Sequence, residues 1–134
     1  MGEAAAWNPD AGAAATYPWG ETLPGPELCN CDRAHKGTSA VGRYPAGRSA
    51  YGAEDMMGNV WEWTASAFGP YRGFSPWPYE GYSKIYFDGA HRVLRGGSWA
   101  TRPWAMRASF RNWYLPEIRQ ILAGFRLAKD GLAD

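Results

Sequence analysis

Two histidines, two cysteines and thirteen carboxylates are the groups among these 134 residues that can bind a metal or move a proton. A facial iron site takes three ligands, of imidazole and carboxylate type. His35 stands in a Pro/Gly-rich stretch and His91 at a turn before a strand-like run. Both read as surface histidines, so no three-ligand centre is expected from them. Cys29 and Cys31 are one residue apart. A disulfide across a single residue is strained, and no second Cys or His pair follows at zinc-site spacing. They read as two free thiols in a reducing compartment. From His91 to Arg126 the chain carries seven arginines and a single acid, Glu117. Arginine without lysine suggests planar hydrogen-bonding forks. These either bond backbone carbonyls in a strand-poor fold or, at individual positions, bind an anion.

The elements that position these groups must be short. Seventeen Gly and ten Pro interrupt the chain too often for a helical bundle or coiled coil. No apolar run approaches the ~20 residues of a membrane span. A net charge of +1 makes no case for nucleic acid or an anionic membrane as partner. The first residues show neither the cationic start nor the apolar core of a secretory signal, so a cytoplasmic location is expected. Residues 1–15 read as the frayed end of a helix and a loop, with a turn at Asn8-Pro9-Asp10. Residues 17–50 read as a connector, with an aromatic-packed turn at Tyr17-Pro18-Trp19-Gly20 and a short strand over 41–44. Residues 56–66 include a strand-like alternation, with Trp61 and Trp63 on one face and Glu62 on the other. An aromatic excursion follows over 68–89. With so many rings it reads as packed rather than disordered. Further strands are expected over 92–99, 107–114 and 123–128, and a frayed tail over 130–134. The pattern is that of an α+β domain with small antiparallel sheets, long aromatic loops and few helices.

Three motifs then occur in order: Gly58-Asn59-Val60-Trp61-Glu62-Trp63-Thr64, Arg95-Gly96-Gly97-Ser98-Trp99, and Gly124-Phe125-Arg126-Leu127-Ala128. With Tyr17-Pro18-Trp19-Gly20 and Pro45-Ala46-Gly47 upstream, the chain resembles the formylglycine-generating-enzyme (sulfatase-modifying-factor) superfamily over about residues 4–128. The resemblance implies that superfamily's irregular variant of the C-type-lectin fold. It also implies that residues 1–134 are the C-terminal portion of such a domain, truncated at the N-terminus. Phe68-Gly69-Pro70-Tyr71-Arg72-Gly73-Phe74, Pro78-Tyr79, Gly81-Tyr82-Ser83 and Phe110-Arg111-Asn112-Trp113 are similar to the C-terminal region of ergothioneine-biosynthesis sulfoxide synthases. Those are non-haem iron oxygenases that join a cysteine-containing thiol to trimethylhistidine with O₂.

That branch implies an iron held by three histidines of a separate N-terminal helical domain, which here would be a missing domain or a partner chain. It implies that Asn112 and Trp113 hold the trimethylammonium and carboxylate ends of a trimethylhistidine-like betaine; the other reading of Trp113 is a core ring. Tyr114 stands where the branch often has an acid that contacts the thiol substrate. Tyr82 or Tyr86 would match its proton-donating tyrosine. The superfamily also implies a structural Ca²⁺ on Asp55, the carbonyls of Gly58 and Val60, and Glu62, a set of oxygen ligands that suits a hard cation. Otherwise Glu62 pairs with an arginine and Asp55 caps a turn. The oxidising members use two cysteines after the Gly-Gly-Ser-aromatic motif; residues 100–106 have none, which sets sulfatase activation aside. The first functional reading is therefore the substrate-binding part of a sulfoxide synthase, inactive alone, with an apolar face that includes Trp61 or Trp63 and rings of 68–87 turned toward its partner. The alternative is a non-catalytic lectin-like binding module of the retroelement variable-protein type, variable over 100–123.

Overall fold

The structure, a computed structural model, describes residues 5–128, so the tail expected over 130–134 lies outside the described residues. Ala5 and Ala6 are helical. Then β1 (Trp7–Asn8) and β2 (Ala13–Ala14) pair as an antiparallel hairpin where a loop was expected. Its turn is the one that Asn8-Pro9-Asp10 announces. Asn8 Oδ1 accepts the N–H groups of Asp10 and Ala11 at 2.9 and 3.3 Å, an Asx turn. Tyr17 and Gly20 exchange backbone bonds at 2.9 and 3.0 Å, and the Tyr17 and Trp19 rings stack at 5.7 Å. The strand expected over 41–44 is a turn instead. Gly42 takes φ +78° there, and its N–H goes to Asp55 Oδ2 at 2.8 Å rather than to a ladder.

The main sheet has four strands, β3 (Trp61–Ala67), β4 (Arg92–Arg95), β5 (Asn112–Tyr114) and β6 (Ala123–Gly124), in the order β5-β4-β3-β6. β4, β5 and β6 each cover only part of the span their alternation suggests. β4 stops where Gly96 and Gly97 take φ +90° and +80°, which bends the chain out of the ladder. β6 runs parallel to β3, so the sheet is mixed rather than wholly antiparallel. Besides Ala5 and Ala6, the helical elements among the described residues are two 3₁₀ turns, Pro45–Gly47 and Pro103–Ala105, and α1 (Glu80–Ser83). Among the described residues no helix is long and apolar enough to cross a membrane.

The alternation of β3 holds, and its polar member takes the inner side: Glu62 is 6% exposed, while Trp61 and Trp63 are half-buried. Trp61 lies 5.9 Å from Phe110. The core is correspondingly small. Cys29, Cys31, Met57 and Met106 pack with Tyr17 and Trp19, and Leu94 is fully buried in β4. Both cysteines are free thiols, as expected. A hydrogen bond to Cys31, with burial, pushes the Cys29 thiol up.

Much of the remaining order comes from arginine. Four of the seven arginines bond backbone carbonyls: Arg92 to Gly89, Arg95 to Ser109 and Phe110, Arg111 to Gly69, and Arg126 to Glu54 and Asp55. Such forks replace ladder bonds that short strands cannot supply. The excursion after β3 is closed at its base by Phe68 N–H donating to His91 O at 2.8 Å. Phe87 packs there against Phe68 and Phe74 at 5.1 and 5.5 Å. Beyond the base Tyr71, Trp77, Tyr79, Tyr82 and Ile85 are exposed, so these side chains do not pack within the excursion and lie open, as rings of 68–87 were expected to on an uncovered face.

Candidate functional site

β5 is an edge strand, and the excursion lays its rings along it. The Arg111 guanidinium sits 3.8 Å from the centroid of Tyr71 and 4.9 Å from that of Phe68, anchored by a 2.8 Å bond to Gly69 O. Phe68 stacks on Trp113 at 4.5 Å and 12°. Tyr86 lies 5.6 Å from Trp113, tilted by 43°, and 5.0 Å from His91. Tyr71, Arg111, Phe68, Trp113, Tyr86 and His91 thus form one continuous row, with cation–π contact at one end and offset rings through the middle. Of the two tyrosines singled out from the sequence, Tyr86 adjoins Trp113, whereas Tyr82 packs on Tyr79 at 6.2 Å.

The three expected substrate residues do not share one pocket wall. Trp113 pairs with Val93 across the sheet, and Asn112 and Tyr114 pair with Leu94 and Arg92. Strand alternation therefore turns Asn112 and Tyr114 to the face opposite Trp113. Asn112 Oδ1 accepts the Trp113 N–H at 3.0 Å. That caps a backbone donor which an edge strand would otherwise leave open. The three side chains meet only at the free edge of β5, which a ligand would have to straddle to touch them all.

His91 departs from its sequence reading. Its side chain is 14% exposed, and its Nδ1 lies 2.8 Å from Asp88 Oδ2. Asp88 Oδ1 accepts the N–H groups of His91 and Ala90 at 3.0 and 2.9 Å. The His91 N–H, before the other bonds, holds the Asp88 carboxyl below its ordinary value. His35 is exposed, with its ring 6.5 Å from Tyr44. Among the described residues no three His, Cys, Asp or Glu side chains converge as metal ligands. They do not fit a catalytic iron.

The calcium set is brought together. Asp55, Gly58, Val60 and Glu62 line one cavity of about 240 Å³ with Glu54, Asn59 and Arg126. The roles first read as alternatives are also filled. Arg126 Nε and Nη2 both donate to Glu62 Oε1, at 2.7 and 2.5 Å, and Asp55 Oδ2 caps the Gly42 turn. Glu62 Oε2, however, is buried without a hydrogen-bond partner. A buried carboxylate oxygen lacking a donor is costly, and a hard cation beside Arg126 would satisfy it. The residues therefore fit a Ca²⁺ on that oxygen.

Pattern reading missed two features, the Tyr71–Arg111–Phe68 clamp and the Asp88–His91 pair. The second had a local signal in Asp88-Gly89, a turn dipeptide three residues before an imidazole.

Residues 3–131 match the family described as the sulfatase-modifying factor enzyme 1-like domain. Hercynine oxygenase of Mycolicibacterium smegmatis is 52% identical over 132 residues, which is 96% of this chain and 31% of that protein. The chain thus spans under a third of that relative's length. Among solved structures, PvdO from Pseudomonas aeruginosa aligns with a TM-score of 0.65 at 27% identity, over 92% of this chain and 47% of that one. Treponema denticola variable protein 1 aligns with a TM-score of 0.58 at 26% identity, over 74% of this chain and 34% of that one.

Proposed function

The chain belongs to the sulfatase-modifying factor enzyme 1-like family, and we propose that it is the substrate-binding part of an ergothioneine-type sulfoxide synthase acting on hercynine, the trimethyl betaine of histidine. The observation that carries the reading is Trp113, presented on the free edge of β5 between Phe68 and Tyr86. Phe68 covers one face of the indole. A trimethylammonium group therefore meets the other face or the ring edge, on the side of Tyr86. Such a contact contributes about 0.5–2 kcal/mol, more as water is excluded. The Asn112 amide at the same edge supplies a polar contact for the betaine carboxylate, and Tyr114 faces the thiol side. The 52% identity to a hercynine oxygenase supports this choice of ligand.

In this reading residues 1–134 are the C-terminal portion of the superfamily's C-type-lectin-like domain. The iron takes its ligands from outside these residues, on a helical domain or partner chain, and this chain's part is to bind and orient the betaine. The alternative, a non-catalytic variable-type binding module, draws on the likeness to the Treponema protein. It explains less, because the hercynine oxygenase match runs over 96% of the chain.

Isothermal titration of the chain with trimethylhistidine tests the proposal. Trp113→Ala should weaken binding by a factor of roughly 2–30. Equal affinities for the two proteins would remove the aromatic wall from the reading.

The same proposal includes a structural Ca²⁺ on Glu62 Oε2, with Asp55 and the Gly58 and Val60 carbonyls. A ligand that binds only the native state adds about 2.7 kcal/mol at a hundred times its dissociation constant. Millimolar Ca²⁺ should raise the melting temperature relative to EGTA, and Glu62→Gln should remove the difference. Coincident melts of the wild-type chain in Ca²⁺ and EGTA would leave Arg126 as the sole partner of Glu62.

A further inference from the structure

We propose that His91, held by Asp88, is a specificity-determining residue of the Trp113 site: its Nε2 accepts a hydrogen bond from the imidazole N–H of a betaine whose ammonium sits on Trp113. The proposal rests on the betaine reading given above and adds the residue that recognises the ligand's ring.

The pair sets the state of the imidazole. An ionised carboxylate only accepts hydrogen bonds, so Asp88 Oδ2 at 2.8 Å keeps the proton of neutral His91 on Nδ1. Nε2 then carries a lone pair. Among the described residues nothing donates to it, although the side chain is only 14% exposed. An imidazole packed on most sides with one open acceptor is poorly used as mere filling. Its ring stands edge-on to Tyr86, which itself adjoins Trp113. His91 stands just before β4, and Tyr86 touches both its ring, at 5.0 Å, and that of Trp113, at 5.6 Å. The imidazole and the ammonium-binding ring are thus separated by a single tyrosine. A histidine betaine likewise carries its ammonium and its ring N–H at opposite ends of a short side chain.

The charged and titratable groups around His91 do not offer a competing partner. Asp88 holds Nδ1. Arg92 Nη1 is turned to the Gly89 carbonyl at 2.6 Å and to the Ala90 and His91 carbonyls at 3.5 Å. Tyr86 meets the ring edge-on, and Tyr114 of β5 pairs with Arg92 on the opposite face.

The test is titration calorimetry of the chain with two ligands, trimethylhistidine and the trimethyl betaine of alanine, which lacks the ring. His91→Phe keeps a ring against Tyr86 and loses the acceptor. It should weaken trimethylhistidine roughly five- to tenfold, the worth of one hydrogen bond, and leave the alanine betaine within about twofold. His91→Gln keeps an acceptor and should restore trimethylhistidine binding to within about threefold. If His91→Phe weakens both betaines equally, His91 only shapes the excursion and the proposal is overturned. If Trp113→Ala abolishes binding while neither His91 variant alters affinity, this proposal alone falls. If Trp113→Ala leaves trimethylhistidine binding intact, or the wild type binds neither ligand, the betaine reading itself fails and takes this one with it.

Discussion

Arg126→Met should destabilise the chain by about 3–5 kcal/mol, the cost of leaving one member of a buried ion pair alone. Arg126 is two-thirds covered and Glu62 almost wholly so, with side-chain exposures of 32% and 8%. The guanidinium makes two bonds to Glu62 Oε1 and one each to the carbonyls of Glu54 and Asp55. Methionine retains most of the stem and removes every donor. It strands a carboxylate on the inner face of β3 and frees the Glu54–Asp55 backbone that lines the same cavity. For a domain of this size the melting temperature should fall by about 10–25 °C. The double variant Glu62→Gln, Arg126→Met should recover part of the loss, because a neutral amide costs far less to bury than an unpaired charge. A single-variant loss under about 1 kcal/mol would place the pair among solvent-screened surface bridges and remove it as the clasp between β3 and the segment after β6.

What could be read in advance follows the range of the interactions involved. The alternation of Trp61, Glu62 and Trp63 was legible because strand geometry is local. Which face is buried was not, since Glu62 turns inward only to meet Arg126, 64 positions away. The arginine-rich stretch was legible from residue type as planar forks, but not which of them would bond carbonyls, as four of the seven do. Residues 41–44 misled because their side chains permit a strand, while the Gly42 N–H is claimed by Asp55 from outside the window. The hairpin of β1 and β2 rests on two residue pairs, too few to leave a periodic signal. The parallel approach of β6 to β3 is set by the whole path between them. Trp113 could be named a site residue, and the expected strand over 107–114 already turns it away from Asn112, but its stacking on Phe68 depends on how the excursion folds back. His91 read as a surface group because its burial comes from Tyr86 and its bond from Asp88, a turn contact that composition does not reveal.

The backbone crossing beneath the Gly58-Asn59-Val60 motif should be the other costly place to disturb. Gly58 takes φ +85°, and a Cβ built there would lie 2.5 Å from Asn30 O and 3.1 Å from Asn30 C. The two strands of chain are pinned at that point. Asn59 N–H donates to Asn30 O at 2.8 Å, and Gly58 N–H donates to Gly96 O at 2.8 Å. A methyl group cannot enter unless one of these bonds lengthens. Gly58→Ala should therefore cost about 2–5 kcal/mol, combining left-handed backbone strain with the displacement of a neighbouring main chain. Gly52→Ala is the control. Gly52 has a similar φ of +74° with nothing within 4 Å of its Cβ, so it should lose only the conformational part, about 1–2 kcal/mol. Chemical denaturation of both variants separates the two effects. If they unfold at the same denaturant midpoint, the approach of Asn30 to Gly58 carries no energy of its own. If Gly58→Ala falls well below Gly52→Ala, that glycine is required because it lets the 30s segment lie against the start of β3, which holds Glu62 under Arg126.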